Sequence, residues 1–211
     1  MAEAAKHREA IVNTAARLFR KQGFAATGLN QIVEESGAPK GSIYHYFPDG
    51  KQAIAAAAVT WAGERVVRTM AGLAKDAKGP GELIRRYATL LGGWMAQSGF
   101  RDGCPIATTL LETAPQSAPI RAAGAAALAA WARIIADSLQ AHGVPAPRAE
   151  RLASMAIAVL EGSLLQARVA VDQQPLIDAT EELAQAFDAA IAASAAQACS
   201  GVAPVSFKAD I

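Results

Sequence analysis

Cysteine is scarce in this chain, with Cys104 and Cys199 as its two thiols in 211 residues, so neither a disulfide framework nor a cysteine metal cluster is expected. Its three histidines, His7, His45 and His142, are scattered, which argues against a metal site. Aromatic residues make up 6% of a chain that is 52% hydrophobic. Much of the apolar count is alanine, and no window alternates β-branched residues, so the composition favours helix and an all-α fold. Charge of either sign is not in excess. A net charge of +1 excludes a polybasic coat protein for nucleic acid. The N-terminus shows no apolar leader, and the alanine-rich stretches are broken by charge, so a cytoplasmic protein with no membrane partner is expected. Catalytic patterns are missing too. Glu34 and Glu35 are helix neighbours rather than opposed carboxylates, and Glu112 and His142 belong to no triad or phosphate loop. No catalytic residue, cofactor or metal is expected.

What is there is a stretch from Thr27 to Phe47, TGLNQIVEESGAPKGSIYHYF, that reads as two short helices around a tight turn. Leu29, Ile32 and Val33 share a face of the first, with Thr27 placed as its cap. Gly37 supplies a left-handed turn, and Pro39 suits the opening of the second helix. That helix turns Ile43 and Phe47 inward and leaves Lys40, Ser42, Tyr44 and His45 on its other faces. This is helix-turn-helix grammar, with a second helix suited to a major groove. Lys40 suits a phosphate or a guanine, the hydroxyls of Ser42 and Tyr44 suit phosphate oxygens, and His45 suits a groove edge.

Around this stretch the chain divides into a head at 1–50, a helical body at 51–194 and a loose tail at 195–211. A first helix over 5–22 carries Ile11, Ala15, Ala16, Leu18 and Phe19 as its inner stripe, and Phe24 plugs the gap behind it. Lys51 opens a long helix whose free amides form a phosphate site and which leads from head into body. Breaks at Gly79-Pro80, Asp102-Gly103, Pro115, Pro145 and Pro175 separate the body helices. The last two have apolar faces wide enough to pair with a second copy as a four-helix bundle or to close an internal core.

The order and spacing of Ala15, Leu18, Phe19, Gly23-Phe24, Thr27, Ile32, Gly37, Lys40-Gly41, Tyr44, Phe47 and Lys51 resemble the TetR/AcrR family of bacterial transcriptional regulators. GAPKGSIYHYFPDGK in the head and DGCPIA at 102–107 are similar to its LmrA/YxaF-like branch. The chain departs from the family's commonest pattern at Pro39, where serine is usual, and in a turn before Lys51 that is one residue longer. The resemblance implies a homodimer whose two heads read a palindromic double-stranded operator. It assigns DNA contacts to Thr27, Gly28, Lys40, Ser42, Tyr44, His45 and Lys51.

The expected function is a ligand-responsive repressor released from DNA by a small apolar or aromatic effector. Trp94, Phe100, Cys104, Leu110, Trp131, Leu164 and Arg168 are the candidate effector contacts, with Tyr87, Thr109 and Gln166 as further polar candidates. Two alternatives remain open at this point. The body is either a protein-interaction or thiol-sensing module, the latter through Cys104, or the chain is a helical enzyme with an apolar substrate cavity.

Overall fold

The computed structural model describes the backbone of residues 2–200 and the side chains of 6–197. Among the described residues the fold is all-α, with nine helices: α1 (Ala2–Gln22), α2 (Leu29–Ser36), α3 (Lys40–Tyr46), α4 (Lys51–Ala74), α5 (Pro80–Gln97), α6 (Pro105–Thr113), α7 (Ala118–Ala141), α8 (Ala146–Ala170) and α9 (Gln174–Ser200). Proline sits in the first turn of α5, α6, α7 and α8, where its missing N–H costs no helical hydrogen bond. Residues 195–200, expected in a loose tail, prolong α9, because no helix breaker precedes Gly201. The remainder of that tail and the side chain of Cys199 lie outside the described residues.

The head is α1 to α3. Gly23 ends α1 at φ +85°, and Gly37 closes α2 at φ +66°, both in the left-handed region where a side chain is strained. Ile11, Ala15, Leu18, Phe19, Ile32, Ile43 and Phe47 are buried together beneath the three helices. Their cluster does not stop at residue 50. It continues along α4 through Ile54, Ala55, Ala58 and Val59, and reaches Ile106 of α6 and Ile120 and Ala127 of α7.

A second apolar cluster fills the body between α5, α7, α8, α9 and the far end of α4, with Tyr87 and Trp131 edge-to-face at its centre, ring centroids 5.9 Å apart. A bidentate pair between Arg85 and Glu181, at 2.7 and 2.9 Å, ties α5 to α9 on the surface. α4 and α7 pack closely where Gly63 meets Ala127. A methyl group on Gly63 would stand 2.6 Å from the alanine Cβ.

One sequence expectation needs correction. α7 and α8 each contain an 18-residue window with mean hydropathy 1.3 and no more than two charges, long and apolar enough to cross a membrane. Alanine raises hydropathy without adding charge or bulk, so the charges flanking these windows do not interrupt them. Here both helices contribute to the packed body cluster.

Candidate functional site

The exposed face of α3 is built by what lies beneath it. Ile43 and Phe47 anchor the helix, and the opposite side presents Lys40, Tyr44 and His45 to solvent, with Ser42 half-buried. Tyr44 is 73% exposed, a large aromatic ring turned to solvent. His45 stacks edge-on against Tyr46 at 4.7 Å. Gly28 is exposed at the start of α2 and takes the N-cap position itself.

Thr27, expected as that cap, does not cap α2 through its side chain. It is fully buried, and its hydroxyl donates to the Gly23 carbonyl at 2.7 Å. Its amide donates to Phe24 O at 3.2 Å, so Thr27 holds the α1–α2 turn in shape. Lys51 also folds back. Its ammonium lies 4.2 Å from the Phe24 ring centroid and 3.4 Å from the Ala25 carbonyl, and partial burial pushes its pKa down.

The same α1–α2 turn is gripped from the body. Glu112, in the last turn of α6, accepts the amides of Phe24 and Ala25 at 3.0 and 2.6 Å. Just before α6, Gly103 N–H donates to the Arg20 carbonyl at 3.0 Å, and Asp102 pairs with the Arg20 guanidinium at 2.9 Å. Nothing in the local sequence marks Glu112 for this role. A lone exposed glutamate in a short helix reveals its partners only once the turn 87 residues upstream is brought beside it.

Beside this junction a cavity of about 640 Å3 opens between α1, α4, α5, α7 and α8. All three tryptophans of the chain, Trp61, Trp94 and Trp131, line it, together with Tyr87, Leu91, Met95, Cys104 and Leu164. Arg17, Arg20, Arg65 and Asp102 stand among its head-side lining, and Glu161 of α8 projects from the opposite wall. Four of the expected effector contacts, Trp94, Cys104, Trp131 and Leu164, are thus brought together, as is Tyr87.

Three are not. Phe100 sits in the α5–α6 loop with a left-handed backbone, φ +59°, and packs on the body core. Leu110 points to the other side of α6, against Gly124, where it lines a shallower groove with Leu128 and Ile157. Arg168 lies behind Gly103, off the wall. Thr109 is buried with its hydroxyl on Pro105 O at 2.8 Å, and Gln166 is exposed. Trp61, Arg17, Arg20, Arg65, Asp102 and Glu161 were not expected at the cavity. They come from α1, α4, the α6 approach and α8, and only the tertiary fold joins them.

The polar chemistry of the cavity is unsettled within the protein. Asn13 Oδ1, Trp131 Nε1 and Glu161 Oε1 are buried without a hydrogen-bond partner, and all three residues line the cavity. Burial pushes the Glu161 carboxyl up. Burial, reinforced by Glu161, also holds the Cys104 thiol well above its ordinary value. Tyr87 is raised by the same burial.

Two family models match. Residues 11–58 match bacterial regulatory proteins of the tetR family, and residues 80–182 match the C-terminal domain of LmrA/YxaF-like transcriptional regulators. The HTH-type transcriptional regulator YxaF of Bacillus subtilis is 35% identical over 83% of this chain and 92% of its own length. LmrA of the same organism is 35% identical over 81% and 90%. The regulator Rv0196 of Mycobacterium tuberculosis is 38% identical over 80% and 88%. Among solved structures, a TetR transcriptional regulator from Chloroflexus aurantiacus superposes with a TM-score of 0.73 at 30% identity, covering 89% of this chain and 97% of that one.

Proposed function

The chain belongs to the TetR family of bacterial regulatory proteins, in its LmrA/YxaF-like branch, and from that premise we propose that it is a cytoplasmic homodimeric repressor that leaves a palindromic operator when a small apolar or aromatic effector fills the body cavity. Regulators of this family are DNA-binding proteins rather than enzymes. The observation that carries the proposal is a short line of contact from cavity to head. Asp102, Gly103 and Cys104 line the cavity, and the first two also hold Arg20, at the end of the helix that leads into the turn before α2.

In this reading α3 enters the major groove. Lys40, Ser42, Tyr44 and His45 face the DNA, while Gly28 and the start of α4 at Lys51 approach the backbone. A ligand that displaces the Asp102–Cys104 segment moves the α1–α2 turn through Arg20 and Glu112, and so changes the spacing of the two heads. Effector and operator then weaken each other by the same factor, typically about 5- to 150-fold for a coupling of ~1 to 3 kcal/mol. The apolar residues left exposed on α8, Met155, Leu165 and Val169, are the surface assigned to the second copy.

A cavity of this size favours a small ligand over a body that only docks proteins. The raised Cys104 thiol is poorly suited to redox sensing, which needs a thiolate. The test is selection of bound duplexes from a random pool with the full chain. A palindromic winner whose binding weakens in Lys40→Ala and Tyr44→Ala supports the reading, and a folded dimer that selects no duplex rejects it.

A further inference from the structure

Glu161 lines the cavity with the Cys104 thiol as its hydrogen-bonding neighbour and no cation beside it among the described residues. Its Oε1 is buried without a donor, although Trp131 Nε1–H, an equally unpartnered group, lines the same cavity. At the head side, Arg20 is paired with Asp102 at 2.9 Å and Arg17 with Glu35 at 2.6 Å, while Arg65 lies over the Trp61 ring at 4.9 Å. No ion pair is formed by Glu161 among the described residues. The groups facing it are the Cys104 thiol and the Tyr87 hydroxyl, neither of which carries positive charge. A buried acid with no cation is costly when ionised, and the cost vanishes when a cation arrives.

The walls around this acid are aromatic. Tyr87 and Trp131 meet edge-to-face in the same cavity, and Trp61 and Trp94 also line it, Trp94 being 42% exposed. Ring faces attract a cation as well as stacking on a planar frame. Accepting the cavity as the effector site, we propose that its ligand is an aromatic compound bearing a positively charged nitrogen, with Glu161 as the counter-charge and the tryptophan and tyrosine rings enclosing its frame. Neutral aromatics of equal shape bind more weakly, and aromatic carboxylates are repelled from the inner end.

The proposal is tested with three probes on one tricyclic frame: 9-aminoacridine, a cation throughout the neutral range, acridine, which is neutral at pH 7.5, and acridine-9-carboxylate. Binding to the DNA-free full chain is measured by calorimetry, with intrinsic tryptophan fluorescence locating the site. The expected order is cation, then neutral, then anion. Glu161→Gln lowers affinity for 9-aminoacridine about 10-fold or more and changes that for acridine less than about 3-fold. In the unmodified protein, affinity for 9-aminoacridine rises with pH as the Glu161 carboxyl, pushed up by burial, ionises. Cys104 and Tyr87, both pushed up by burial, keep their protons, and Arg17, Arg20, Arg65 and Asp102 are the other charged groups lining the cavity.

Acridine or its carboxylate binding as tightly as the cation, or a cation affinity indifferent both to pH and to Glu161→Gln, overturns the charge assignment and leaves the cavity as an effector site. Failure of all three probes to bind overturns the cavity reading together with it. A Glu161→Gln chain that does not fold leaves the pH arm, measured on the unmodified protein, to decide.

Discussion

Gly23 and Glu112 stand so close that a methyl group on the glycine would lie 2.2 Å from the carboxylate Oε1. The contact joins the last residue before the α1–α2 turn to the last turn of α6, and it leaves room for hydrogen alone.

Gly23→Ala therefore meets two obstacles, a backbone at φ +85° and the Glu112 carboxylate. The backbone strain alone costs about 1 to 2 kcal/mol, or roughly 2 to 8 °C in melting temperature for a chain of this size. Thermal unfolding measures the loss. A melting point equal to the unmodified protein's contradicts the close approach.

Glu112→Ala removes the acceptor from two exposed amides, which water then serves, so its stability cost is small, about 1 kcal/mol. Its larger effect is on coupling. Operator release by effector weakens several-fold while effector binding to the DNA-free protein stays within about twofold. Paired operator and ligand titrations separate the two, and an unchanged release factor removes Glu112 from the relay.

Lys40→Ala lowers operator affinity and reduces the slope of log K against log salt by about 0.9, the share of one phosphate. If Lys40 reads a guanine instead, affinity falls at that base alone and the salt slope is kept. Titrations at several salt concentrations distinguish the two.

The acid that lacks a cation also affects folding. Burial raises the folded-state pKa of Glu161 above its unfolded value, so the folded chain holds a proton that the unfolded chain has already released. Stability is therefore lost as pH rises from the unfolded value near 4.5 through the folded one. Glu161→Gln removes this loss. In the absence of ligand the variant melts above the unmodified protein at pH 8, and the gap closes toward pH 4. A gap independent of pH assigns the difference to packing.

Leu165→Glu, at a position 64% exposed in the single chain, places charge on the α8 surface assigned to the second copy. Forfeiting one buried leucine weakens association by ~1.5 to 3 kcal/mol, roughly 10- to 150-fold in the dimer constant. Sedimentation equilibrium reads the shift, and an unchanged constant moves the interface elsewhere.

The head was legible because its signals are local. Gly37, Ile43 and Phe47 occupy the backbone angle and the burial that spacing alone implies. Thr27 was misread for the same reason. A threonine before a helix suggests a cap, while its true partner, the Gly23 carbonyl, depends on how the preceding turn folds back. In the body, large apolar side chains such as Trp131 and Leu164 were found, since bulk in an alanine-rich helix stands out. Leu110 and Phe100 have the same bulk and went astray. Which side of α6 faces the cavity is decided by Gly124 receiving Leu110, and the loop geometry at Phe100 is set by its own backbone. Charged members of the site, Arg65 and Glu161 among them, look like solvated helix positions until neighbouring helices surround them.

The seam at Gly63 limits how the two halves of the protein can move. With the alanine Cβ of α7 filling the place of a side chain, α4 has no room to tip toward its neighbour there, and only sliding or turning about that point is open to it. The twelve residue steps from Lys51 to Gly63 form a lever about 18 Å long, with its fulcrum at the close approach of α4 to α7. A small rotation at the pivot becomes a larger sweep at the DNA end, so the travel of each reading head is set by where along α4 that one hydrogen atom takes the place of a methyl group.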